Sequence, residues 1–108
     1  MNINNIENKA EKADSLLKAL ANKNRLIIMC SLCRGEKCVG ELEEISGLSQ
    51  SALSQHLAKL RQDGLVETRR QAQTIYYSTD CKPVHLVMGA LADAFCDEDH
   101  EEIEDPST

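Results

Sequence analysis

No stretch of this 108-residue chain is long and apolar enough to span a bilayer. Its opening, Met1-Asn-Ile-Asn-Asn-Ile-Glu7, lacks the basic start and apolar run of a secretion signal. The expected location is therefore the cytoplasm, with no membrane partner. Internal repeats are absent, and the acidic end is the single low-complexity tract. The length leaves little room for a second domain. A chain this short buries a modest core, and many such domains complete it by dimerising. The three histidines, His56, His85 and His100, are scattered, and no nucleophile and base are spaced to act together. No enzyme is expected, and no cofactor.

Basic residues are missing from the end of the chain. Residues 97–108 hold Asp97, Glu98, Asp99, Glu101, Glu102, Glu104 and Asp105, with no Lys or Arg. Removing these seven from the 18 acidic groups leaves 11 against 12 basic ones, so the net charge of −6 comes from the tail. The expected organisation is a domain over 1–96 and a disordered, solvated acidic tail over 97–108. Five cysteines, an odd number without a secretion signal, argue against a disulfide framework. Reactive thiols, metal ligands and small buried residues all stay open.

The most informative stretch is Leu48 to Gly64. Ser49 is suited to cap a helix and Gly64 to stop it. Leu53, Leu57 and Leu60 form one apolar stripe at helical spacing. Gln50, Ser51, Ser54 and Gln55 lie on the other face, with donors and acceptors suited to base edges and phosphates. His56 reads as a packing residue that also donates to a phosphate. Leu65–Arg70 and Gln73–Ser78 read as a hairpin turning at Gln71-Ala72. Arg69 and Arg70 sit near its tip, within reach of the minor groove or phosphates.

Upstream, Ile6, Ala10, Ala13, Leu16, Leu17 and Leu20 give a helix over 6–20 one apolar face. A second helix starts at Asn22 and runs to Gly35. Glu36-Lys37 reads as a turn. A third helix spans Cys38–Ser46, with Val39, Leu42 and Ile45 inward, and Gly47 closes it. The link Gly47-Leu48-Ser49 is as short as a helix-turn-helix needs. Pro83 suits the first turn of a last helix, whose apolar face is Val84, Val87, Met88, Leu91 and Phe95. The order α-α-α-α-β-β-α predicts a mainly α, winged helix-turn-helix. The terminal helices are expected to form a two-fold homodimer, holding two reading helices roughly 34–36 Å apart on operator DNA.

Leu17-Lys-Ala-Leu-Ala-Asn-Lys-Asn-Arg-Leu26, Val39-Gly-Glu-Leu42, Leu48-Ser-Gln-Ser51, Ser54-Gln-His-Leu57, Asp63-Gly-Leu-Val66 and Thr74-Ile-Tyr-Tyr77 resemble signature segments of the ArsR/SmtB family of bacterial repressors. Within that family the chain is similar to the persulfide-sensing branch that includes BigR, SqrR, YgaV and HlyU. The resemblance implies a sensing pair at Cys30, in Leu26-Ile-Ile-Met-Cys30, and Cys96, in Ala94-Phe-Cys96. Reactive sulfur species would be the inducer, and their cross-linking of the two thiols would release operator DNA.

Read from the residues alone, Cys30 among Ile27, Ile28 and Met29 is a small core residue. Cys96 should be more exposed, with a thiol pKa raised by Asp97, Glu98 and Asp99. Cys30 is expected to be the better nucleophile if a Lys or Arg packs near it. Cys33 is an auxiliary thiol, a second partner for Cys96, or a partly buried small residue. Cys81 carries no specific role. Cys38-Val39-Gly40 keeps one thiol of the family's Cys-Val-Cys metal motif and loses the other. Soft-ion binding needs several converging thiolates, and His85 and His100 do not match the family's zinc set. No metal site is expected. A soft-metal or arsenic-responsive repressor, and a DNA-binding regulator without a thiol switch, are the alternatives.

Overall fold

The computed structural model describes the backbone of residues 3–96 and the side chains of residues 5–95. The expected acidic tail therefore lies outside the described residues. Five helices surround a small sheet: α1 (Ile3–Leu20), α2 (Lys23–Arg34), β1 (Lys37–Cys38), α3 (Val39–Ser46), α4 (Gln50–Gln62), β2 (Glu67–Gln71), β3 (Thr74–Ser78) and α5 (Lys82–Leu91). A π-helical turn, Ala92–Cys96, extends α5. This is the winged helix-turn-helix order, with one added strand. No described helix is long and apolar enough to cross a membrane.

The helix boundaries follow from local chemistry. The Asn22 side chain accepts from the backbone N–H groups of Asn24 and Arg25 at 2.9 and 3.1 Å, capping α2. At the start of α3 the Cys38 N–H donates to the Glu41 carboxylate at 2.9 Å. That bond, then the nearby Lys37 ammonium, holds the Glu41 carboxyl below the usual range. Gly47 ends α3 at φ 71, a left-handed value that costs glycine little.

Helix α4 is closed at both ends. The Ser49 hydroxyl accepts from the Ala52 N–H at 3.2 Å. At the other end Leu65 N–H donates to Leu60 C=O at 2.9 Å and Gly64 N–H to Arg61 C=O at 3.0 Å. With Gly64 at φ 77, this pair of bonds is the Schellman arrangement. Leu60 and Leu65, the two residues such a motif brings together, are both buried.

The core runs from Ile28, Met29 and Leu32 of α2 through Leu42 to Leu53, Leu57 and Leu60 of α4, and on to Val84 and Met88 of α5. Three local expectations are corrected. Glu36-Lys37 is not simply a turn: Lys37 and Cys38 pair with Tyr77 and Tyr76 as an edge strand, giving sheet order β1-β3-β2. The hairpin turns at Ala72-Gln73, one residue later than expected, because Gln71 still pairs with Thr74. Ile45 is not inward but 47% exposed, since the eight-residue α3 buries only Leu42 fully. Ile6, Leu17, Leu86 and Phe95 are exposed on the terminal helices, so those apolar faces are unfilled within one protomer.

Candidate functional site

Two regions carry chemistry. The first is the outer face of α4 and the adjoining wing. Burial of Leu53, Leu57 and Leu60 turns Gln50, Ser51, Ser54 and Gln55 outward, and all four are exposed. His56 is half-buried, between the two faces. The amino end of α4, where Gln50 and Ser51 lie, presents the positive end of the helix dipole, which favours phosphate.

A cleft of about 480 Å³ separates α4 from β3, lined by Ser54, Leu57, Ala58, Arg61, Gln62 and Tyr77. The sequence reading did not join Arg61, Gln62 and Tyr77 to the polar face. A signal was present, because Ser54, Ala58, Arg61 and Gln62 fall at i, i+4, i+7 and i+8. Lys59 is ion-paired to Asp63 at 3.4 Å.

The two wing arginines differ. Arg69 Nε and Nη2 donate to the two carboxylate oxygens of Glu36, each at 2.7 Å. Its Nη1 donates to Gln71 at 2.7 Å, and its guanidinium lies 4.6 Å from the Tyr76 ring centroid. The Arg69 hydrogen bond holds the Glu36 carboxyl below the usual range. Arg70 is exposed and forms no ion pair among the described residues. At the base of the wing Glu67 keeps its proton to higher pH than usual, because it shares a hydrogen bond with Asp80 and is repelled by its charge.

The second region lies between α2 and α5. Cys30 lines an apolar cavity of about 620 Å³, with Leu26, Ile27, Met88, Leu91 and Phe95 around it and Arg34 and Lys37 among its walls. Arg34 and Lys37 thus share this cavity with Cys30. Cys96 ends the π-helical turn that carries Ala92 and Phe95, both of which line this cavity. The Cys96 side chain, and with it the expectation of its exposure, lies outside the described residues.

Cys33 is half-buried, and its thiol is pushed up by burial and then by the neighbouring Cys30 and Cys81 thiols. A raised pKa lowers the thiolate fraction and so its readiness to react. Cys38 sits at the amino end of α3, and Cys81 at that of α5. Among the described residues no three His, Cys, Asp or Glu side chains are placed to hold a metal ion.

Comparison with known proteins agrees with this architecture. Residues 22–68 match the family described as "Bacterial regulatory protein, arsR family". Nodulation protein NolR of Rhizobium meliloti is 54% identical over 89 residues, covering 82% of this chain and 73% of that protein. The chain belongs to the ArsR family. Transcriptional activator HlyU of Vibrio cholerae is 49% identical over 96 residues, covering 89% of each. The structure of reduced HlyU from that organism has a TM-score of 0.82 at 48% identity, covering 87% of this chain and 99% of that one. The transcriptional repressor BigR from Xylella fastidiosa gives 0.81 at 40% identity, covering 89% and 98%. As an ArsR-family member the chain is a DNA-binding transcriptional regulator, not an enzyme.

Proposed function

We propose that this regulator is a homodimeric repressor that binds operator DNA when reduced and releases it when reactive sulfur species cross-link Cys30 and Cys96. The observation that carries the reading is Cys30 on the wall of the α2–α5 cavity, which Arg34 and Lys37 also line and which Phe95, next to Cys96 in the chain, lines from the π-helical turn. BigR is a repressor by name, and repression that ends on cross-linking is the form proposed for this chain. Gln50, Ser51, Ser54, Gln55 and His56 read or grip the DNA, helped by Arg70 and, when it leaves Glu36, Arg69. The exposed Leu17, Leu86 and Phe95 supply the dimer contact.

The chemistry balances with an organic persulfide as oxidant. The Cys30 thiolate attacks the outer sulfur of R–S–SH, R–S⁻ leaves and takes a proton, and Cys30–S–SH forms. The Cys96 thiolate then attacks the Cys30 sulfur, and HS⁻ leaves. One persulfide and two thiols thus become a disulfide, a thiol R–SH and H₂S. A second persulfide first lengthens Cys30–S–SH by one sulfur, and attack on the inner added sulfur leaves a trisulfide. A plain disulfide needs Cα atoms within about 7 Å, whereas added sulfurs bridge a wider gap. The cross-link ties α2 to the end of α5 and shifts the two reading heads. A coupling of about 1–3 kcal/mol lowers operator affinity 5–150-fold.

Intact mass and peptide mapping test this after treatment with a persulfide donor or with hydrogen peroxide. A Cys30–Cys96 bridge carrying added sulfur, formed with the donor and not with peroxide, together with loss of DNA binding, is the expected result. Persulfide-driven release that persists in Cys96→Ser overturns the dithiol mechanism. A salt-independent affinity for DNA overturns the operator-binding reading itself.

A further inference from the structure

The α2–α5 cavity holds more polar capacity than thiol chemistry uses. Its volume, about 620 Å³, lies within the range of small-molecule sites. The walls are mostly apolar, with Ile45, Met88 and Phe95 on three different elements. Ser31 also lines it, is 7% exposed, and its hydroxyl has no hydrogen-bond partner among the described residues. A buried hydroxyl without a partner is uncommon and costs stability unless something satisfies it.

Among the described residues the positive charge on the same walls is also unanswered. Neither Arg34 nor Lys37 is ion-paired among the described residues. Lys37 Nζ donates to the carbonyls of Gly35 and Ser31 at 3.1 and 3.4 Å, so it is held in place with charge to spare. Glu41 feels Lys37, but its carboxylate accepts from the Cys38 N–H.

We infer that this cavity is a reversible binding site for an amphipathic organic anion, a carboxylate carrying an apolar chain or ring. The apolar body occupies the space between Ile27, Met88 and Phe95. The carboxylate meets Arg34 and Lys37, and Ser31 donates its free hydroxyl to the ligand. A purely apolar occupant would cover Leu91 and Phe95 but would leave both cations and the hydroxyl unanswered. Charge complementarity therefore selects the anion. Binding here needs no thiol, so it stands apart from persulfide sensing.

The test uses the full-length Cys30→Ser protein, in which sulfur chemistry at the cavity is removed, titrated with octanoate and with octanol. Calorimetry should show saturable binding of octanoate at one per protomer. Backbone amide shifts should move at Ser31, Ile45 and Phe95. Arg34→Gln should weaken octanoate about tenfold, the loss of one charge-assisted hydrogen bond, while leaving the fold's amide spectrum otherwise unchanged. Ala92→Leu, which fills the cavity, should abolish binding. No saturable binding, octanol binding as tightly as octanoate, or octanoate binding undiminished in Arg34→Gln would each overturn the inference. None of these outcomes touches the dithiol reading, which the mass measurement decides separately.

Discussion

Arg69 and Glu36, 33 residues apart in the chain, meet in a two-pronged ion pair with both N···O distances at 2.7 Å. The pair fastens the wing to the segment between α2 and α3. It also takes from Arg69 the charge that a phosphate would use, and leaves Arg70 as the freer of the two.

Arg70→Ala should therefore lower operator affinity and reduce the slope of log affinity against log salt by about 0.9 per protomer. Arg69→Ala should change that slope less. Glu36→Gln should free Arg69 and steepen it. Fluorescence anisotropy with labelled operator between low and moderate salt measures all three. Equal slopes for Arg69→Ala and Arg70→Ala would sink the distinction.

The same pair sets a pH window. Glu36 is held below its ordinary pKa of 4.5, so folding favours its charged form. The contribution is complete above that value and is lost as pH falls through the lowered one. The Arg69 Nε–H resonance should keep its ion-paired shift at pH 5 and lose it only in stronger acid. A change already complete at pH 5 would contradict the pairing.

Glu67 and Asp80 run the other way. Folding favours the protonated form of Glu67, because Asp80 shares a hydrogen bond with it and repels its charge. That contribution is full below the ordinary glutamate range and is lost as pH rises through the raised value. Asp80→Asn should raise Tm at pH 7 and raise it less at about pH 3, below the ordinary glutamate range, where Glu67 carries its proton. Differential scanning calorimetry at the two pH values checks it.

The wing turn holds a strained residue. Ala72 lies at φ 57, and it is the sole non-glycine residue with positive φ among those described. Only the first turn residue takes this value, as in a type II′ connection, where glycine is preferred. Ala72→Gly should stabilise the protein by about 0.5–1 kcal/mol, the left-handed strain less the added freedom of the unfolded chain. Urea unfolding at constant m-value measures it.

Cys33 should be a slow thiol. Burial first, then Cys30 and Cys81, raise its pKa. Iodoacetamide at pH 7.5 should alkylate it more slowly in the folded protein than in urea, with the folded rate climbing only above the ordinary thiol range. A folded rate equal to the rate in urea would restore it as an equal partner to Cys30.

Helix α4 was legible because its signals are local. Ser49, Gly64 and three leucines at helical spacing decide where it starts, stops and buries itself, whatever else the chain does. The strand at Lys37-Cys38 was not legible. Two residues carry no alternation, and the pairing partners, Tyr76 and Tyr77, lie almost forty positions away. The turn at Ala72-Gln73 was misplaced by one residue because neither amino acid announces a positive φ. Ile45 satisfied the helical period yet lies on the open wall of the α2–α5 cavity and not in the core, since periodicity specifies a face and not its neighbour. The cavity beside Cys30 needed tertiary structure: Arg34 ends α2 and Lys37 opens β1, whereas Met88 comes from α5 and Phe95 from the π-helical turn after it.

Helix α4 is held by its caps and by its buried leucines. Gln50, Ser51, Ser54 and Gln55 form none of its capping bonds and none of its core contacts. If those four positions read DNA as proposed, operator preference can drift there while the scaffold stays the same. On the proposed reading, a lineage could re-address this regulator to new promoters by a few surface exchanges and leave the α2–α5 cavity untouched.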